Sequence, residues 1–142
     1  RALAETRQQF RLNRGRPLCI ISQAIAQGAT MQMIEAVIKS HKLDDVKSAL
    51  AKMGILGVTA LECKGFGRQR GHTERYRGAK MDVGFVPKIM LKIAVRAEDS
   101  AKAVEVIIEA AWTGEVGDGK IFVYPIAEVV RIRTGERNEQ AL

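Results

Sequence analysis

The sequence predicts an α+β fold, an antiparallel four-stranded sheet with two helices on one face, and three observations lead to it. Two strand-like stretches, "MIEAVIK" and "GVTALECK", flank one with helical spacing, "KLDDVKSALAKMGI". A second strand–helix–strand run, "KIMLKIAV", "EDSAKAVEVIIEAAWTG" and "KIFVYPIAEVVRIR", repeats the pattern. Between the two runs lies a polar interval, residues 65–86, with neither helical nor strand period. The order strand–helix–strand, long loop, strand–helix–strand is that of the ferredoxin-like split arrangement.

Each element has its own warrant. "MIEAVIK" is rich in Ile and Val, whose branching at Cβ suits a pleated strand. In the first helix Leu43, Val46, Leu50 and Met53 recur at helical spacing, Asp44 and Asp45 lie in the first turn, and Gly54 stops it. "KIMLKIAV" alternates with period two, as a half-buried strand does. The second helix is expected to be capped by Asp99 or Ser100, to bury Val104, Ile107, Ile108 and Ala111, and to end at Gly114. The last strand is expected to run on through "RIR". A sheet covered on one side leaves its other face bare, with Ile34, Val58 and Ile93 or their alternates on it, and an oligomer is the simplest cover.

A chain of 142 residues is one domain long, with enough length for a core that needs no covalent staples. Cys19 and Cys63 form no C-x-x-C or Cys/His cluster, which excludes a disulfide framework or zinc site and fits a reducing cytoplasm. The chain shows no apolar run of membrane-spanning length. Net charge is +7, and residues 1–30, with five arginines against one glutamate, hold +4 of it, leaving +3 for the body. That segment is expected to be a leader, a loose tail or a genuine extension, with the compact domain, residues 31–142, starting at Met31. A mildly basic body admits small polyanions as well as nucleic acid or an anionic membrane.

The stretch "TGEVGDGKIFV" fits the G-x-x-x-x-G-K part of a P-loop, yet Ile121 stands where Ser or Thr should bind magnesium. A strand-forming run follows it instead of a helix, so a P-loop ATPase is excluded. Its glycines around Lys120 still offer backbone N–H groups and an ammonium to an anion, an ordinary glycine-rich turn being the plainer alternative. The interval "GFGRQRGHTERYRGAKMDVGFVPK" is long for a compact domain, and such loops are usually functional. It carries Arg68, Arg70, Arg75 and Arg77, and reads as a basic arm that docks on a partner. Tyr76 among arginines hints at nucleic-acid stacking, but the strands lack the paired aromatics of an RNA-binding domain. In "RIRTG", Arg131 and Arg133 share one side if the segment is extended, a clamp for phosphates or a solvated face. His41 and His72 stand alone, and no serine has a base at motif spacing, so nothing supports catalysis.

Taken together, "KGFGRQRGHTERYRG", "TGEVGDGKIFV" and "VVRIRTGE" resemble, in order and spacing, the three signature regions of the PII nitrogen-regulatory signal proteins, from Met31 to about Leu142. The resemblance implies a homotrimer of ferredoxin-like subunits that binds ATP or ADP between subunits. With MgATP it would also take 2-oxoglutarate, and its long T-loop would then change shape and partner. The implied nucleotide residues are Gly117, Asp118, Gly119 and Lys120 in the glycine turn, or B-loop, with Gly67, Arg68 and Gln69 at the T-loop base. Thr59 and Ala94 would lie at the adenine, and Arg131 and Arg133 would reach in from the neighbouring subunit. For 2-oxoglutarate they are Lys88, Gln69 as magnesium ligand, and the backbone of Gly67, Arg70 and Gly71; a side-chain amide is a suitable oxygen ligand for the metal.

Three positions depart from the pattern. Met81 occupies the place of the modified tyrosine and Ala79 that of a phosphorylated serine, so no covalent modification is expected there; Gly84 precedes Phe85 at the loop tip. The implied function is a non-enzymatic, cytoplasmic sensor of ATP, ADP and 2-oxoglutarate that controls an ammonium transporter, which would recruit it to the membrane, or a nitrogen-metabolism enzyme. A relative that reports nucleotide to a different transporter or enzyme is the alternative. A nucleic-acid-binding ferredoxin-like domain, favoured by charge alone, stands behind both, and no direct nucleic-acid contact is expected.

Overall fold

The computed structural model describes residues 31–67, 75–76, 79–80 and 84–142, so the basic segment 1–30 and most of the long loop lie outside the described residues. Strand β1 (Met31–Ile38) opens the domain, its alternation burying Ile34, Ala36 and Ile38 on one side. A 3-10 turn (Ser40–Lys42) leads into α1 (Leu43–Lys52), whose first turn carries Asp44 and Asp45 at the positive end of the helix dipole. Val46 and Leu50, one turn apart, are its buried residues. Strand β2 (Thr59–Gly65) follows, then a two-stranded hairpin of β3 (Arg75–Tyr76) and β4 (Ala79–Lys80). That hairpin lies in the interval expected to have no strand period; two residues per strand are too few for a period to be read.

Strand β5 (Val86–Arg96) passes without a loop into α2 (Ala97–Ala111), and β6 (Lys120–Ile126) closes the sheet. The strand order is β2-β5-β1-β6 and every pairing is antiparallel. Each strand–helix–strand unit therefore skips one strand, which the other unit fills, as the ferredoxin-like expectation requires. Both helices lie on one face, where Ile34, Ala36, Leu91, Ile93 and Val95 of the sheet meet Val46, Leu50, Ala103 and Ile107.

Several expectations need correction. Ile34 and Ile93 were candidates for the bare face, but both point to the helices and are fully buried, and Val58 packs against that core. Their alternates form the open face. Met33 pairs with Ala94 and Tyr124, Glu35 with Lys92 and Phe122, and Leu61 with Met90. On this face Lys92 Nζ lies 2.9 Å from Glu35, and the Tyr124 hydroxyl donates to the same carboxylate at 2.7 Å. The α2 cap is neither Asp99 nor Ser100. The strand runs straight into the helix, so Arg96 takes the cap position, with its Nε donating to Asp99 at 2.7 Å, and Ser100 turns into the core. The same shift buries Ala97, Ser100, Ala103, Ile107 and Ala111, leaving Val104 and Ile108 half-buried at the margin. Finally, β6 stops at Ile126, well before "RIR". Residues 130–137 fold back on themselves: Val130 bridges to Arg137, Arg131 N–H donates to Glu136 O at 2.9 Å, and Gly135 N–H to Arg131 O at 2.8 Å.

Candidate functional site

The register gathers four strand ends at one edge of the sheet: Val37 faces Lys120 and Met90, and Cys63 faces Lys88. A cleft of about 660 Å³ opens there. Val37 forms its floor, Gly65, Phe66 and Gly67 leave it at the end of β2, Lys88 enters from β5, and the turn between α2 and β6 supplies residues 115–120. Phe122 completes the wall, while Phe66 leans on Phe85 with ring centroids 6.1 Å apart, beside the point where the long loop leaves and returns.

The turn has its shape for local reasons. Gly117 and Gly119 adopt φ values of 96° and 109°, which side chains disfavour, and a Cβ on Gly119 would fall 1.7 Å from the Val37 carbonyl oxygen. Asp118 fastens the turn from within: its Oδ2 accepts from the N–H groups of Thr113 at 2.8 Å and Gly114 at 3.0 Å, and its Oδ1 from the Thr113 hydroxyl. Lys39, just past the end of β1, reaches the same carboxylate at 3.1 Å, Glu115 at 3.2 Å and the Thr113 hydroxyl at 2.8 Å. Burial by itself would raise the Asp118 pKa, but Thr113, Lys39 and Gly114 hold it below the usual carboxylate value.

Lys88 is the one buried cation among the described residues, at 7% exposure. Its ammonium donates to the Gly117 carbonyl oxygen. Burial, and next the charge of Lys39, lower its pKa from the usual lysine value. A buried ammonium with a carbonyl oxygen as its hydrogen-bond partner has donors left for an anion. Lys120 lies exposed at the mouth.

The structure brings Gly67, Lys88, Gly117, Asp118, Gly119 and Lys120 to this one cleft. Asp118 is there in a different capacity from its glycine neighbours, since its carboxylate is spent on the turn itself. Thr59 and Ala94 lie elsewhere: Lys88 and Ala94 stand near opposite ends of β5, roughly 20 Å apart at the usual strand rise. The chain after β6 leaves the sheet at that far end, where Ile126 pairs with Met31. Neither Arg131 nor Arg133, which follow on that segment, lines the cleft. These arginines do not share an extended strand, the turn that separates them having been set by the Gly135 and Glu136 hydrogen bonds. The Arg131 guanidinium donates to Glu136 and to the Leu142 carbonyl, each at 2.6 Å, while Arg133 is exposed. Arg68, Gln69, Arg70, Gly71 and Met81 lie outside the described residues. Among the described residues no cluster of His, Cys, Asp and Glu could hold a metal, and no helix is long and apolar enough to cross a membrane.

Sequence reasoning missed Lys39, Thr113 and Glu115. Lys39 and Thr113 are 74 positions apart, and no local pattern links the residue after a strand to a turn in the other half of the chain.

The protein is thus of the ferredoxin-like α+β class, with a glycine turn and a buried lysine in a cleft beside a long loop. The model of the family "Nitrogen regulatory protein P-II" matches residues 31–136. The chain is 54% identical over 112 residues to the nitrogen regulatory protein P-II of Pasteurella multocida (strain Pm70) and to P-II 1 of Escherichia coli (strain K12), in each case across 79% of this chain and 100% of the relative. Among solved structures it resembles Arabidopsis thaliana PII bound to citrate, with a TM-score of 0.67 and 38% identity over 80% of this chain and 94% of that one. The chain belongs to the P-II family of nitrogen regulatory proteins, which are regulators and not enzymes.

Proposed function

We propose that this protein senses ATP, ADP and 2-oxoglutarate and passes the result, through its long loop, to an ammonium transporter or an enzyme of nitrogen metabolism. The observation that carries the reading is the cleft: a positive-φ glycine turn that admits no Cβ, with Lys88 buried beside it. Such a turn suits a polyphosphate, whose oxygens take backbone N–H groups and ammonium donors. Citrate, bound by the Arabidopsis relative, is likewise a polyanion.

Thr59, Ala94, Arg131 and Arg133 stand outside the cleft that holds Gly67, Lys88 and the turn, and this supports a site shared between copies. Gly67, Lys88 and the turn would come from one subunit, Thr59, Ala94, Arg131 and Arg133 from the next, and a closed homotrimer would form three such sites. Magnesium carried by ATP would meet Gln69. 2-Oxoglutarate would place one carboxylate on the metal and the other on Lys88, near the backbone of Gly67, Arg70 and Gly71. Arg68 would join the phosphates from the loop base. Met81 has no hydroxyl to carry a nucleotidyl group, so control rests on ligand occupancy. The altered loop tip, Met81 with Gly84, is what favours the second reading, the same sensor acting on a different transporter or enzyme.

Calorimetry tests the proposal. 2-Oxoglutarate is expected to bind only with MgATP present, because the metal forms half of its site; equal binding to the free protein would refute it. Lys88→Ala should abolish 2-oxoglutarate binding and spare ATP, a buried carboxylate without its cation costing about 3–5 kcal/mol.

A further inference from the structure

We propose that Lys39 is the counter-ion that allows an aspartate to stand inside a phosphate-binding turn, and that it is thereby a positioning residue for the nucleotide. The inference deepens the nucleotide reading and rests on it. A carboxylate in the middle of a phosphate cradle is an electrostatic conflict, since like charges at this range oppose each other. Asp118 occupies that place, between the two positive-φ glycines. The conflict is resolved by committing the carboxylate to the N–H groups of Thr113 and Gly114 and the Thr113 hydroxyl, and by placing the Lys39 ammonium 3.1 Å from it.

Lys39 is built for this. Its side chain is 12% exposed, and it also pairs with Glu115 on the cleft wall at 3.2 Å. Its third contact, to the Thr113 hydroxyl, fixes the direction in which that hydroxyl donates to Asp118. The charged groups around Asp118 are Lys39 from the end of β1, Glu115 from the turn, Lys88 from β5 and Lys120 at the start of β6. Remove Lys39, and the Asp118 and Glu115 carboxylates remain on the cleft wall without the cation that pairs with both. The phosphates would then meet a negative wall.

The test is calorimetry with MgATP on the full chain and on Lys39→Met, Lys39→Arg and the double variant Lys39→Met/Asp118→Asn. Lys39→Met should weaken MgATP binding by roughly tenfold or more, the direction set by a partly buried charge that loses its partner. Relative to the unmutated protein, that loss should shrink as the pH falls from about 7 to about 5, because Asp118 without its ammonium takes up a proton more readily. Lys39→Arg and the double variant should each recover most of the affinity. A merely structural lysine would give neither the pH recovery nor the rescue by Asp118→Asn. Lys39→Gln, which keeps a donor for Thr113 without the charge, serves the same comparison if Lys39→Met does not fold. Unmutated protein that binds MgATP, together with a Lys39→Met that binds it equally, overturns this inference alone, as does a double variant no better than the single. Unmutated protein that does not bind MgATP overturns the nucleotide reading itself, and this inference with it.

Discussion

At Gly119 the backbone comes so close to β1 that a Cβ would sit 1.7 Å from the Val37 carbonyl oxygen, and the residue also holds φ at 109°. Neither demand can be met by a side chain without moving the turn off the strand. We predict that Gly119→Ala lowers stability by roughly 3 kcal/mol, combining backbone strain with a displaced contact, and abolishes ATP binding. Urea denaturation and calorimetry check both; a variant as stable as its parent would contradict the geometry. Asp118 yields a prediction in pH. Its folded pKa lies below the ordinary carboxylate value, so the unfolded chain binds its proton more tightly, and the stability this contributes is present above that ordinary value and lost as pH falls through the folded one. Melting temperatures should therefore decline from about pH 5 to about pH 3. Part of that decline should be missing in Asp118→Asn; an identical slope in the two proteins would show that the carboxylate is not so held.

Among the elements, the segment after β6 differs most from its sequence reading. Strand periodicity continues through "VVRIR", yet β6, hydrogen-bonded to β1 alone at the sheet edge, ends at Ile126, whose partner is Met31. Beyond that point the chain satisfies its own backbone, with Asn138 N–H donating to Val129 O at 2.8 Å and the Arg131 side chain held by Glu136 and Leu142. The arginines are thus presented on a braced loop. Arg131→Ala or Arg133→Ala should each weaken ATP binding by about 1.5–3 kcal/mol, the usual range for a hydrogen bond to a charged group. Neither should shift the oligomeric state in sedimentation, and an equal loss of assembly would assign them to the interface instead. Helix α2 is legible in existence but not in its ends, running from Ala97 to Ala111 where a cap at Asp99 or Ser100 and a stop at Gly114 are expected, and its inward face includes Ser100 and Ala103 in place of Val104 and Ile108. The seamless passage from β5 into α2, a feature of three-dimensional continuity, moved the start of the helix and brought Ser100 inward.

For the molecule as a whole, the open sheet face sets the main expectation. Leu61, Phe122 and Tyr124 remain 43%, 50% and 40% exposed on a face that also holds Met33, Met90 and Ala94, with the Glu35–Lys92–Tyr124 cluster at its middle. A face of this kind calls for cover. Under the proposed shared nucleotide site, further copies of the same chain are the cover that would also complete it. We predict a trimer by sedimentation velocity at micromolar concentration and ordinary salt; a monomer would contradict the shared-site proposal.

What the sequence determined by itself is what depends on neighbours along the chain. Alternation fixed the strands, helical spacing fixed α1 and α2, turn chemistry fixed Gly117 and Gly119, and the spacing of three motifs was enough for the family. Each of these signals spans a few residues and survives in any packing. The tertiary structure decided whatever depends on which strands meet. Ile34 and Ile93 went to the helices and not to the bare face, since one register slip exchanges the two faces of a strand and local pattern is the same either way. The order β2-β5-β1-β6 brought Lys39, at the end of one strand, to a turn 74 positions later, where it pairs with the Asp118 carboxylate that fastens the turn. No period or motif encodes that meeting, because it arises only once the two halves of the chain interleave.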